Sequence, residues 1–289
     1  MTDRSWHYNS LMLPSLTDIE RNVRIALDED IGTGDLTAQL IPVTQMASAR
    51  VISRETAILC GQAWFDSSFR LTDPDTTITW HAKDGDPLEA GQLLCTLHGR
   101  ARSLLTAERT ALNFLQTLSA VSTVTRSYVD AVKGTAAAIL DTRKTLPGLR
   151  LAQKYAVTVG GGQNQRIGLD DGILIKENHI AAAGGIRPAL EAARHIGSVP
   201  IQIEVESLAE LQAALDAGAN LILLDNFTLE QMRAAVAIAA GRAVLEASGN
   251  VTLITVRAIA QTGVQRISVG SLTKNIHAVD LSMRFEEPA

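Results

Sequence analysis

Between residues 136 and 270 the chain repeats one arrangement: a short apolar run, then a polar or amphipathic stretch. The runs are "AAAIL" (136–140), "GILIK" (172–176), "IQIEV" (201–205), "LILLD" (221–225), "AVLEAS" (243–248) and "RISVG" (266–270). Helical patterns such as "SLAELQAALDAGA" (207–219) and "TLEQMRAAVAIAAG" (228–241) lie between them. Strands that are apolar along their whole length are covered on both faces, and parallel strands need a crossover between them, usually a helix. Six such strands predict a TIM-type α/β barrel, incomplete, in preference to an open doubly wound sheet.

The first hundred residues have a different texture. Apolar positions at helical spacing run from Leu16 to Asp28, with Ser15 or Thr17 available as N-cap. Short β-like segments follow at 49–54, 57–61, 76–80 and 93–99, separated by turns such as "KDGDP" (83–87). A small α+β domain is expected over 1–118 and the barrel over 119–289, with the extreme C-terminus packing back on the first domain. Residues 103–132 read as a long helix, interrupted near Ser119–Ser122, that joins the two.

The net charge of −5 offers no general attraction to nucleic acid or an anionic membrane, and 4% aromatics cannot build a base-stacking platform. Two cysteines, Cys60 and Cys95, are too few for a disulfide framework or a four-thiolate zinc site, so a reducing, cytoplasmic setting is expected. No run approaches the length of a membrane helix, and the N-terminus lacks the pattern of an export signal. Any anion-binding site must therefore be local.

In α/β barrels the reactive groups stand where strands end, because the following loops share one mouth. The strand ends here supply Asp141, Arg143 and Lys144, then Lys176, Glu204 and Glu206, Asp225, Ser248 and Gly249, and Gly270 and Ser271. Cations, carboxylates and small residues thus converge. The stretches "ASGN" (247–250) and "VGSLT" (269–273) suit a phosphate, since backbone N–H groups bind it closely where side chains are small. The glycine-rich "VGGGQNQRIGLDDG" (159–172) fits neither a dinucleotide fingerprint nor a Walker loop, yet Arg166 within it can offer a planar fork to a carboxylate. A small molecule with several phosphates is the expected ligand.

The stretches "ERTALNFLQTLS" (108–119), "DTRKTLPGLR" (141–150), "GGGQNQRIGLDDGILIKENHI" (160–180), "LLDNF" (223–227), "LEASGN" (245–250) and "SVGSLTK" (268–274), with "EDIGTGDLT" (29–37), occur in one order along nearly the whole chain. Together they resemble the quinolinate phosphoribosyltransferase family. The resemblance implies an N-terminal α+β sandwich followed by an incomplete barrel of seven strands. It also implies transfer of a 5-phosphoribosyl group from phosphoribosyl pyrophosphate to quinolinate, with loss of CO2, giving nicotinate mononucleotide for NAD synthesis. Mg2+ is the implied cofactor, and the implied working unit is a homodimer whose active sites are shared between subunits.

Carried over by motif, Arg109 would reach quinolinate from the partner subunit, while Arg143, Arg166 and Lys176 line its site with Gln165. Lys144 would contact donor or quinolinate. Glu204 and Asp225 would sit by the ribose and its Mg2+, and Lys144, Lys176, Glu204 and Asp225 form the expected catalytic set. Ser248, Gly249, Asn250, Gly270 and Ser271 would hold phosphate. Gln165 departs from the family's usual histidine at this position, so the group there carries no charge and does not titrate near pH 6–7. His179 is read as structural or supporting, and His7, His81, His98, His195 and His277 lack metal-ligand spacing.

Three alternatives differ in chemistry. A phosphoribosyltransferase for nicotinate or a related aromatic acid would use the same barrel, but a monoacid would leave one cation unpaired. Lys176 could form a Schiff base. Residues 83–94 resemble the turns of a carrier domain, though they hold no Met-Lys acceptor.

Overall fold

The structure is a computed structural model that describes residues 12–286 of the 289. In chain order its elements begin α1 (Leu16–Ile31), β1 (Met46–Ser53), β2 (Ala57–Ile58), α2 (Gln62–Thr72), β3 (Thr77–Trp80), β4 (Pro87–Leu88), β5 (Leu93–Arg100) and α3 (Ala101–Ala131). There follow β6 (Ala138–Leu140), α4 (Arg150–Val159), β7 (Ile173–Ile175), α5 (Glu177–Ala183), α6 (Ile186–Arg194), β8 (Ile201–Val205), α7 (Leu208–Asp216) and β9 (Leu221–Asp225). The chain closes with α8 (Leu229–Ala239), β10 (Val244–Ser248), α9 (Val256–Ala260), β11 (Arg266–Ser268), α10 (Ser271–Lys274) and β12 (Leu281–Phe285). Two compact units divide them, one holding the described residues up to Arg126 with 146–160 and the chain after Lys274, the other holding Ser127–Thr145 and Gly161–Lys274. The division thus falls at 126/127, and it gives α4 and β12 to the first unit.

The first unit is built on an antiparallel sheet ordered β12-β1-β5-β3. Alternation puts Ala49 and Val51 of β1 and Cys95 and Leu97 of β5 on one face, where α3 adds Leu104, Ala107, Ala111 and Leu115 and α2 adds Phe65 and Phe69. Helix α1 starts on Ser15, whose hydroxyl accepts from the Asp18 N–H at 3.2 Å. Asp35, in "EDIGTGDLT", accepts from the Ala38 N–H (2.9 Å) and the Thr106 hydroxyl (2.8 Å), and these bonds hold its carboxyl below the ordinary 3.8. That motif is therefore a structural turn. Tyr155 of α4 donates to Asp84 at 2.9 Å and packs against Trp64.

The expected interruption in α3 does not occur. Its hydroxyls are satisfied without breaking the helix: Thr123 and Thr125 bond carbonyls four residues back, at 2.6 and 2.7 Å, while Ser119 and Ser122 reach the carbonyls of Cys60 and Ile58. Gly160 is required beside this helix, because a Cβ there would lie 2.6 Å from the Ser122 carbonyl oxygen.

The second unit carries a parallel sheet ordered β6-β11-β10-β9-β8-β7. All six sequence-expected strands are present. The seventh expected from the family resemblance is reduced to a single parallel bridge between Gln163 and Leu140. Glycines and amides occupy 160–165, with no β-branched side chain to favour a strand.

Register sorts the two faces of the sheet. Glu204 pairs with Leu223, Leu223 with Glu246 and Glu246 with Arg266, so these side chains share one face together with Gln202, Asp225, Ser248 and Ser268. Ile203, Val205, Ile222, Leu224, Leu245, Ala247 and Ile267 take the other face and are almost fully buried. The second face is wholly apolar, whereas the first mixes polar side chains with leucines such as Leu174 and Leu223. On the first face Gln202 of β8 hydrogen bonds Glu246 of β10 at 3.0 Å across the intervening β9, which requires the sheet to curl with its polar face inside.

Candidate active site

Parallel strands bring Lys176 and Glu204 together. Ile175 pairs with Ile203, so the next residues stand side by side at the strand ends, and Lys176 Nζ lies 3.0 and 2.9 Å from the two oxygens of Glu204. Glu204 is buried, whereas the lysine stem is half-exposed. His179 caps the following helix by accepting the Lys176 N–H on Nδ1 at 3.0 Å, which fixes the backbone from which Lys176 projects.

Asp225 ends β9 in register with Ser248 of β10. Asn226, at φ 56°, donates to Asp225 Oδ2 at 2.8 Å, and its N–H donates to the Ser248 carbonyl at 3.0 Å. Gly249 packs against the same asparagine: its φ is 100°, and a Cβ would stand 2.2 Å from Asn226 Oδ1. Asn250 also has positive φ, at 49°. The loop after β10 is thus a tight, side-chain-poor turn clamped to the end of β9.

Lys144 lies across the neighbouring loop. Its N–H donates to Thr142 Oγ1 (3.0 Å) and its carbonyl accepts from Thr273 (2.8 Å). A Cβ at Gly270 would lie 3.1 Å from Lys144 Cδ and 3.9 Å from Nζ, so the lysine side chain passes closely over position 270. Close by in the chain, the hydroxyls of Ser268 and Ser271 are buried and have no hydrogen-bond partner among the described residues. The Nε of Arg143 is likewise buried without one.

Arg166 sits in a loop closed on itself. Its Nη1 donates to the Gly172 carbonyl at 3.0 Å, and Asp171 accepts the N–H groups of Ile167 and Gly168 at 2.7 and 2.9 Å. Asp141, fully buried at the end of β6, accepts from Asn164 Nδ2 (2.6 Å) and the Gln165 N–H (2.8 Å). Gln165 itself is 5% exposed, and its Nε2 donates to Gln202 at 2.9 Å. Gln202 gives its own Nε2 to Glu246, and Arg266 Nε meets the same carboxylate oxygen at 2.9 Å.

Gln202, Glu246 and Arg266 did not feature among the residues singled out from the sequence. A signal existed in the polar residues at every second position of "IQIEV" and "VLEAS". Glu206 turns outward, where its N–H is held by Glu210 at 2.7 Å. Arg109 belongs to the other unit, on α3, and is exposed between the buried Ala107 and Ala111. His7 lies outside the described residues.

Among the described residues no three His, Cys, Asp or Glu side chains gather as metal ligands. Asp225 and Glu204 are two carboxylates near neighbouring strand ends, and Mg2+ held by one or two carboxylates plus substrate phosphates needs no more. Both oxygens of Glu204 already face Lys176, which leaves Asp225 as the more available ligand. No helix among the described residues is long and apolar enough to cross a membrane.

A curled parallel sheet with cations, carboxylates and glycine loops at its strand ends defines a barrel enzyme acting on small polyanions. Comparison with known proteins makes this specific. Residues 35–119 match the N-terminal and residues 121–284 the C-terminal domain model of quinolinate phosphoribosyl transferase. The chain is 43% identical over 257 residues to a probable nicotinate-nucleotide pyrophosphorylase (carboxylating) of Bacillus subtilis, covering 88% of this chain and 89% of that one. It is 42% identical over 272 residues to the nicotinate-nucleotide pyrophosphorylase (carboxylating) of Mycobacterium leprae, covering 90% and 95%. The solved nicotinate-nucleotide pyrophosphorylase of Francisella tularensis superposes with a TM-score of 0.94 at 46% identity, over 97% of this chain and 100% of that one. The chain belongs to the quinolinate phosphoribosyltransferase family.

Gly249→Ala tests the clamped turn. Positive φ and the 2.2 Å approach to Asn226 leave no room for a methyl group. The expected result is a KM for phosphoribosyl pyrophosphate raised on the order of tenfold, with the KM for quinolinate within about twofold of the parent.

Proposed function

We propose that this chain is a carboxylating nicotinate-nucleotide pyrophosphorylase: it transfers the 5-phosphoribosyl group of phosphoribosyl pyrophosphate to the ring nitrogen of quinolinate, releasing pyrophosphate and CO2 and leaving nicotinate mononucleotide. The observation that carries this reading is the pairing of Lys176 with Glu204 at adjacent strand ends, with Asp225 ending the next strand, in a chain that matches the family along most of its length.

Quinolinate brings two adjacent carboxylates, and removing them from water must be offset by cations. Arg143, Arg166 and Lys176 fill that role, each charge-assisted hydrogen bond contributing roughly 1.5–3 kcal/mol. Lys176 exchanges its contact with Glu204 for one with the substrate. The phosphate of the donor is held by N–H groups of the turns at Ser248, Gly249 and Asn250 and at Gly270 and Ser271, with Lys144 over Gly270 neutralising it.

Cleavage of the bond from ribose to pyrophosphate develops positive charge on the sugar. Asp225, fixed in place by Asn226, and Glu204, released by Lys176, stabilise that charge. Asp225, assisted by Glu204, would hold Mg2+, which when bound neutralises the departing pyrophosphate. The ring nitrogen attacks as the leaving group departs and becomes cationic. The carboxylate next to it then leaves as CO2, its bonding electrons drawn into the cationic ring, and a proton replaces it. Positioning and charge compensation suffice, and no covalent nucleophile is required.

The working unit in this reading is a cytoplasmic homodimer. Arg109 supports it, since an exposed arginine in "ERTALN" is free to serve a neighbouring molecule's site. Leu36, Leu40, Val43 and Met46, all more than half exposed, form apolar surface that a partner subunit would cover.

Incubation with Mg2+, phosphoribosyl pyrophosphate and either quinolinate or nicotinate, reading nicotinate mononucleotide and CO2, tests the reaction. Product with CO2 from quinolinate and little from nicotinate is expected, and product from nicotinate alone would overturn the assignment. Mixing inactive Arg109→Ala with inactive Lys176→Ala chains tests the shared site. Roughly a quarter of the parent activity is expected on re-equilibration, because half the dimers are mixed and each has one intact site. No recovery would contradict it.

A further inference from the structure

The buried polar chain Gln165, Gln202, Glu246, Arg266 has a direction that chemistry alone dictates. A carboxylate only accepts hydrogen bonds, so Gln202 must turn its NH2 towards Glu246 (3.0 Å), and its carbonyl oxygen then faces away. That oxygen can be satisfied only by a donor, so Gln165 must turn its own NH2 towards Gln202 (2.9 Å). Arg266, 2.9 Å from Glu246, pairs with the carboxylate and starts the sequence. Gln202 and Glu246 are fully buried, and Arg266 is 7% exposed, so these groups are shielded from bulk solvent. The backbone of Gln165 is held separately by Asp141.

We infer that Glu246 and Gln202 are positioning residues: they set the plane and the polarity of the Gln165 amide, and through it the binding of the aromatic diacid. Neither touches substrate. The inference rests on the reading that places Gln165 in the quinolinate site. It deepens that reading by explaining why a neutral amide serves there. An amide on a flexible side chain turns either its oxygen or its nitrogen to a ligand, whereas one whose nitrogen is held by a buried acceptor keeps one plane and one direction for its N–H groups, the only groups of an amide that can bond a carboxylate. The cost of ordering it is met on folding and not on binding.

The test compares Gln165→Ala, Gln202→Met and the double variant Gln202→Glu/Glu246→Gln in the full-length enzyme, each checked for folding by thermal unfolding. Met fills the space of Gln202 but passes no hydrogen bond. The double variant moves the carboxylate one step along the chain: Glu at 202 accepts from Gln165 and from the new amide at 246, and the net charge of the cluster is unchanged. Gln202→Met is expected to raise the KM for quinolinate about fivefold to tenfold, leaving kcat and the KM for phosphoribosyl pyrophosphate within about twofold. The double variant is expected to return the quinolinate KM to within about twofold of the parent. A folded Gln202→Met enzyme with unchanged quinolinate KM, alongside a weakened Gln165→Ala, would overturn the relay and leave the site reading standing. An unchanged quinolinate KM in Gln165→Ala would remove the site reading and the inference with it. If Gln202→Met does not fold, the double variant decides, and a raised quinolinate KM in it would overturn the inference.

Discussion

Three ionisable side chains and an amide, Glu204, Glu246, Arg266 and Gln202, lie on the inner face of a sheet whose other face is wholly apolar, and a buried charge without a partner costs several kcal/mol. The sheet therefore holds its shape only while these groups satisfy one another. Glu246 does so with Arg266 and Gln202, and Glu204 with Lys176. Removing one member of the sealed Glu246 and Arg266 pair costs about 3–5 kcal/mol, more than most single side chains contribute to a domain. The arrangement also grades the interior by depth. The Glu246 and Arg266 pair is sealed, whereas Lys176 at the strand end is half-exposed and able to change partner.

That gradient links fold to chemistry. At the mouth the loops are short and glycine-rich because strand ends and loops approach too closely for side chains, as at Gly249 against Asn226. Arg143, Ser268 and Ser271 each have a buried side-chain polar atom without a hydrogen-bond partner among the described residues.

The six barrel strands were legible because continuous apolar runs between amphipathic helices have few other solutions. The strand-end residues were legible for a topological reason, since the end of each run names the loop that reaches the mouth. Less could be read where side chains satisfy one another across the fold. Ser119 and Ser122 looked like a helix break, because no local pattern says that residues 58–60 will accept their hydroxyls. Helix α2 was missed among strands: "QAWFDSSFRLT" has its apolar residues at helical spacing, but short β-like neighbours masked it. Gln202, Glu246 and Arg266 read as blemishes in apolar strands until register placed them on one face. The seventh strand fell short because glycines and amides cannot sustain one.

In the proposed reading the site counts carboxylates: its cations are placed for two, and one acid group cannot satisfy them. Calorimetric titration of the enzyme with quinolinate and with nicotinate tests this without turnover. With the second acid worth roughly 1.5–3 kcal/mol, quinolinate is predicted to bind about tenfold to a hundredfold more tightly, and Arg166→Met to bring the two dissociation constants close together. Equal affinities for the two acids in the parent enzyme, or a preference left intact by Arg166→Met, would contradict it.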